Sequence, residues 1–169
     1  MMICVPIKKK KFEDALKLLK KAQNTSDLIE IWSNPNFTSA QVGKLFRAAK
    51  VPVIYKSNGD IREINLFLNH KPEFIDIDIK KINLIKEIHK LSPKTKIIIS
   101  YHNFEKTPLN KDLEAQIKKM FDFGADVAKI AVFAEKPEDS IRVLSLLEKF
   151  NLQNKKVIFL CMGEHGKIT

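Results

Sequence analysis

What most constrains this chain is a rhythm of short apolar runs alternating with longer amphipathic ones, the short runs recurring about every 25 residues. The short runs are Ile3–Ile7, Leu28–Trp32, Val51–Tyr55, Phe74–Ile79, Lys96–Ser100, Val127–Phe133 and Val157–Met162. They are rich in Ile and Val and bounded by turn residues, as strands buried on both faces are. Helical patterns stand between them. Phe12, Ala15, Leu16, Leu18 and Leu19 make one apolar stripe, and Leu113, Ile117, Met120 and Phe121 make another at i, i+4, i+7, i+8. Thr38 or Ser39 can cap a helix reaching Lys50, and Pro137 suits the first turn of a helix reaching Phe150. A strand–helix–strand crossover returns the next strand in the same direction, so the sheet is expected to be parallel.

An open doubly wound sheet and a closed barrel both satisfy that rhythm. No GxGxxG or GxxxxGK[ST] follows the first strand, which removes support for the nucleotide-binding open sheets. Polar residues inside the strands favour the barrel. Asp76 and Asp78 alternate with Ile75, Ile77 and Ile79, Glu30 sits between Ile29 and Ile31, and Lys129 precedes Ile130. In a barrel the outer face meets the helices while the inner face can carry polar groups near the mouth. Such a barrel typically needs about 250 residues and rarely fewer than about 200. The expectation is therefore an α/β fold of the (β/α)8 TIM-barrel type, one domain over residues 1–169. It is C-terminally short, with about seven β/α units and the eighth strand missing.

Composition narrows the setting. With 44% hydrophobic residues the chain can bury a core, yet no apolar run approaches the roughly 20 residues of a membrane span. The amino terminus places its apolar run before Lys8–Lys11, the reverse of a secretory signal. Cys4 and Cys161 are too few for a disulfide scaffold and lack metal-ligand spacing. A cytoplasmic protein without a membrane or metal role is the plain reading. Thirty Lys+Arg against 20 Asp+Glu leave a net charge of +10. The lysines scatter to the ends of elements rather than forming one arm, and no nucleic-acid-binding motif accompanies them, so the excess reads as solubility and attraction for small anions.

Two residues stand out chemically. His102, in Ser100-Tyr101-His102-Asn103-Phe104, shares strand parity with Ser100 and would face the barrel mouth; its bland alternative is a histidine that finishes a strand and bonds a nearby carbonyl. Lys129 interrupts the apolar strand Val127–Phe133. A buried ammonium costs several kcal/mol unless it is paired or sheds its proton, and a neutral amine can attack a carbonyl to form a Schiff base. The alternatives are an edge lysine reaching out to water, or a salt bridge to Asp76 or Asp78. Cys161 and Met162 end the last strand and are expected to wall a pocket, with no neighbour to activate the thiol.

At this point the sequence resembles a family, type I 3-dehydroquinate dehydratase. The resemblance is carried by Glu30-Ile31-Trp32, by Phe74–Asp78, and by Ser100-x-His102-Asn103-Phe104-x-x-Thr107-Pro108. It continues through Gly124-Ala125-Asp126-x-x-Lys129-Ile130-Ala131-Val132 and Met162–Thr169, and so runs over nearly the whole chain. It implies a Schiff-base lyase that needs no metal or organic cofactor. Lys129 would be the imine-forming lysine and His102 the general base and acid, converting 3-dehydroquinate to 3-dehydroshikimate and water in the shikimate pathway of aromatic amino-acid biosynthesis. It also makes a homodimer reasonable.

Departures from the family pattern matter as much. The family usually has Glu-x-Arg in the second strand, where this chain has Glu30 and Trp32; a second arginine usually ends the third strand, where Lys56 stands. The acidic loop that follows, which supplies a glutamate near the histidine, is cut to Ser57-Asn58-Gly59-Asp60. A further arginine would follow Thr169. Glu30, Trp32, Lys56 and Met162 are the expected substrate contacts, with a weakened grip on the substrate carboxylate, because a lysine offers a point charge where arginine offers a fork. Two competing readings remain: a Schiff-base lyase or aldolase for another keto acid, and an inactive barrel fragment with a binding role.

Overall fold

The computed structural model of the chain describes residues 2–169. They fall into two compact units, one running to Ile77 and including Asn83–Lys96, the other formed by Asp78–Ile82 and Ile97–Thr169. Both are built of parallel strands alternating with helices, the α/β class that the sequence rhythm predicts.

The first unit carries β1 (Cys4–Ile7), α1 (Phe12–Ala22), β2 (Leu28–Trp32), α2 (Ser39–Ala48), β3 (Val53–Lys56), α3 (Ile61–Leu68), most of β4 (Phe74–Asp78) and α4 (Ile85–Leu91). Its strands pair in chain order. Helix α1 buries Ala15 and Leu19 of the predicted stripe, and Ala22 beyond it. Thr38 caps α2 in a reciprocal box: its hydroxyl accepts the Gln41 N–H and the Gln41 side chain accepts the Thr38 N–H. The ring of Tyr55 stacks flat on Phe67 at 3.9 Å, joining β3 to α3 in the core.

The second unit carries β5 (Lys96–Asn103), α5 (Asn110–Asp122), β6 (Val127–Phe133), α6 (Pro137–Leu152) and β7 (Val157–Met162). These strands also pair in chain order. Leu113, Ile117 and Met120 of α5 and Val143, Leu146 and Phe150 of α6 are buried. Gly124, at φ +91°, ends α5 in the left-handed region, where the Gly124 and Ala125 amides return to the carbonyls of Phe121 and Met120.

One device recurs in both units. The Asp27 carboxylate accepts the Ile3 N–H at 2.7 Å while its own N–H donates back to the Ile3 carbonyl. Asp126 does the same with Ile97, at 2.7 Å. An aspartate just ahead of one strand thereby fixes the start of the strand beside it. This accounts physically for the aspartate of the Gly124-Ala125-Asp126 block.

Some boundaries differ from the sequence expectation. Strand β5 runs past Ser100 to Asn103, and β3 is displaced to Val53–Lys56 because the Lys56 side chain is buried rather than solvated. Between β4 and α4 the chain forms a 3-10 turn, Ile79–Leu84, broken at Lys81.

Candidate active site

In the second unit, β5 and β6 pair with Ser100 opposite Lys129 and His102 opposite Ala131. Register partners in parallel strands project to the same face, so Ser100, His102 and Lys129 share one. His102 lies two residues farther toward the strand ends than the level of Lys129, about 6.6 Å along the strand. Lys129 is only 7% exposed, between the fully buried Ala128 and Ile130. An edge lysine snorkelling to water is therefore excluded.

The imidazole of His102 is held in its plane and on its face. Its Nδ1 lies 3.3 Å from Oδ2 of Asp78, whose other oxygen accepts the Lys80 N–H at 2.9 Å. The ring of Phe104 stacks nearly parallel to it, with centroids 5.9 Å apart. With Nδ1–H donating to the carboxylate, the lone pair sits on Nε2, the tautomer a general base needs.

The loop after His102 explains the spacing of its motif. The Asn103 side chain accepts the N–H groups of Glu105 and Lys106, closing the turn. Thr107 donates its hydroxyl proton to the Phe133 carbonyl at the end of β6. Arg142 of α6 then donates to the carbonyls of Thr107 and Pro108 and to the Asn110 and Asp139 side chains. Burial would raise the Asp139 pKa, but the Arg142 guanidinium and the amides of Glu135 and Lys136 together hold it below the ordinary aspartate value.

At β7, Met162 pairs with Phe133, two steps along the strand face from Ala131, so it lies on the face of Lys129. Cys161 does not. It pairs with Val132, on the opposite face; the expectation that both residues wall one pocket is corrected by strand alternation. Burial pushes the Cys161 thiol up, which suits a structural rather than reactive sulfur.

In the first unit the predicted contacts gather at the carboxy-terminal ends of the strands. Glu30 is buried and accepts the Trp32 Nε1–H at 2.8 Å. The ammonium of Lys8 sits over the Trp32 ring at 4.2 Å from its centroid. Lys56 and Asp76 form a 2.7 Å ion pair, both buried. Removing one member of a buried pair leaves an uncompensated charge and costs about 3–5 kcal/mol. Lys56→Ala should therefore lower the urea midpoint by a corresponding amount, whereas an exposed lysine such as Lys9 should not. A cavity of about 380 Å³ in this unit lies instead at the amino-terminal ends of the strands, lined by Gly43, Arg47, Pro52, His70 and Glu73, and is no part of this arrangement.

Sequence reasoning did not assign roles to Asp78 toward His102, to Arg142 and Thr107 as loop anchors, or to Lys8. Among the described residues no three His, Cys, Asp or Glu side chains gather as a metal-binding group, and no helix is long and apolar enough to cross a membrane.

Comparison with known proteins gives a consistent result. Residues 3–169 match the family described as type I 3-dehydroquinase. A 3-dehydroquinate dehydratase from Methanocaldococcus jannaschii is 34% identical over 99% of this chain and 81% of its own length. One from Methanococcus maripaludis is 32% identical over 99% of the chain and 82% of its own length. Among solved structures, type I 3-dehydroquinate dehydratase from Clostridium difficile, with covalent modified comenic acid, superposes with a TM-score of 0.84 at 24% identity, covering 99% of this chain and 77% of that one. The enzyme from Aquifex aeolicus gives 0.78 at 25% identity, with 99% and 82% covered. The fold class is thus the α/β barrel type of these enzymes, with seven strands among the described residues.

Proposed function

The chain belongs to the type I 3-dehydroquinase family, and from that premise we propose that it dehydrates 3-dehydroquinate to 3-dehydroshikimate through a Schiff base on Lys129. The observation that supports this most is a lysine, 7% exposed in an apolar strand, sharing a face with a histidine backed by a carboxylate. The amine adds to the ring ketone and water leaves, giving an iminium that acidifies the adjacent C–H. Nε2 of His102 takes that proton, and the electron pair returns toward the iminium. The histidine then gives its proton to the departing β-hydroxyl, which leaves as water. Hydrolysis of the iminium consumes one water and frees Lys129, so the net change is the loss of a single water.

Glu30, Trp32, Lys56 and Met162 are the proposed substrate contacts. Glu30 is held in one orientation by the Trp32 indole. Met162 offers an apolar surface on the Lys129 face. Lys56 already spends charge on Asp76. That last point, together with an indole at position 32, favours a second reading in which the same Schiff-base chemistry serves a different keto acid.

Borohydride reduction in the presence of substrate decides between these readings. With 3-dehydroquinate, intact mass should rise by one reduced adduct, mapped to the peptide containing Lys129. Trapping with other keto acids but not with dehydroquinate would select the second reading. No adduct with any keto acid, or an adduct on a different lysine, would overturn the Schiff-base assignment.

A further inference from the structure

The cavity of about 380 Å³ in the first unit has no part in the proposed dehydration, yet its volume falls within the range of small-ligand sites. One side is apolar, made by Phe46 of α2 and by Val51, Pro52 and Val53 where the chain enters β3. The other is made by Arg47, also of α2, and by His70 in the turn between α3 and β4. Its walls are tied in place. The Pro52 carbonyl accepts the Ile29 N–H, and the carbonyl of Pro72 accepts the Thr95 hydroxyl.

Gly43 makes room for the polar side. It stands in the interior of α2, where glycine weakens a helix relative to alanine. A Cβ at this position would meet Cε1 of His70 at 3.0 Å and Nη1 of Arg47 at 3.2 Å. The missing methyl lets the imidazole and the guanidinium lie against the same stretch of helix. Phe46 holds the imidazole from another side, stacked with centroids 5.5 Å apart.

The polar atoms of this pair are unused by the protein. Nε2 of His70 is enclosed without a hydrogen-bond partner. Burial, with help from the Arg47 charge, holds the ring below the ordinary histidine pKa and so neutral near pH 7. An orphaned N–H is rarer inside proteins than an under-used acceptor, so Nε2 carries the lone pair and Nδ1 the proton. Nδ1 is not enclosed in that way, and the donor that His70 brings to the cavity is therefore Nδ1–H.

Arg47 is equally uncommitted. Of the chain's three arginines, Arg62 pairs with Asp60 and Arg142 with Asp139, whereas Arg47 has neither ion pair nor hydrogen bond among the described residues. Nor does it cap its own helix, since the carbonyls of Leu45 and Phe46 receive the Ala49 N–H. Glu73, the carboxylate among the lining residues, is held 2.6 Å from the Lys96 ammonium.

We infer that this cavity binds small apolar carboxylic acids in their ionised form, with Arg47 gripping the carboxylate and His70 orienting it. A guanidinium fork matches two carboxylate oxygens with parallel bonds, and a neutral N–H adds a third without adding charge. The apolar body of the ligand covers Phe46 and Val51–Val53. No residue is shared with the Schiff-base proposal, so either can fail without the other.

Benzoate is the probe, benzamide its neutral counterpart, and inorganic phosphate the oxyanion without an apolar body. The chain has four histidines, few enough to follow each ring C–H signal by NMR on the full chain, with His70→Gln identifying that of His70. We expect benzoate to shift the His70 signal saturably at a midpoint about tenfold or more below that of benzamide, and phosphate to leave it in place. Arg47→Gln should weaken benzoate about tenfold and erase its advantage over benzamide, while Arg47→Lys recovers part of it. Gly43→Ala should also weaken benzoate, because its methyl displaces both groups. Lys44→Gln, an exposed change on the same helix, should leave the midpoint within about twofold. Arg47 is exposed, so Arg47→Gln should keep the native circular dichroism and its loss of binding reads as loss of the contact. An unmoved His70 signal, an equal response to benzoate and benzamide, or an unchanged midpoint in Arg47→Gln overturns the inference. Phosphate binding as tightly as benzoate overturns it too, since the apolar wall would then select nothing.

Discussion

Lys129→Ala should lose dehydration of 3-dehydroquinate by on the order of 10⁴-fold or more, together with every trace of the borohydride adduct. The size of the effect follows from what is removed. Without the amine there is no iminium, and the ketone alone is a far poorer sink for the electron pair left when the C–H is broken. Lys129→Arg separates charge from nucleophilicity: it keeps a cation at the position, yet a guanidinium does not form the imine, so it should be as inactive as alanine. Lys129→Met adds an apolar chain of similar length and tests whether lost activity reflects lost structure. Position 129 lies between fully buried Ala128 and Ile130, so the methionine variant should keep the native circular dichroism. Activity within tenfold of wild type in any of the three would remove Lys129 from the mechanism.

The strands were legible because Ile and Val runs bounded by turn residues leave little else for a chain to form. Legibility failed where polar side chains occupy strand positions for a local reason. Strand β3 includes Lys56 because Asp76 on the neighbouring strand accepts its charge, a partner 20 residues away that no local pattern announces. Strand β5 continues through Tyr101, His102 and Asn103, beyond the run Lys96–Ser100 that marks it in sequence. The segment Ile79–Leu91 is apolar enough for one helix, but the break at Lys81 divides it into a 3-10 turn and a short α-helix.

The same division runs through the site. Parity along one strand put His102 on the face of Ser100, since alternation is a property of each strand alone, whereas the register that sets Lys129 opposite Ser100 belongs to the pair of strands. The contacts that orient them were not available in that way. Asp78 reaches His102 across 24 residues, and Arg142 reaches the Thr107–Pro108 carbonyls across more than 30. Trp32 looked like a lost arginine. Its indole N–H meets Glu30 and the Lys8 ammonium lies over its ring, contacts that no local pattern announces.

His102→Ala should have a different signature from any change at Lys129. Imine formation and proton abstraction are separate steps, and the imidazole acts in the second. Dehydroquinate should still be trapped on Lys129 by borohydride, to near one adduct per chain, while turnover falls by about 10²–10⁴-fold, the usual contribution of a positioned general base. Solvent exchange gives the sharper test. In deuterium oxide the wild-type chain should incorporate label at the carbon beside the ketone, and His102→Ala should not, even where the adduct accumulates. Asp78→Asn should fall between the two, because an amide can still meet Nδ1 but no longer opposes the positive charge that the ring gains on taking the proton. Loss of the adduct along with turnover would instead place His102 in imine formation. Turnover within tenfold of wild type would show that the proton leaves through another group.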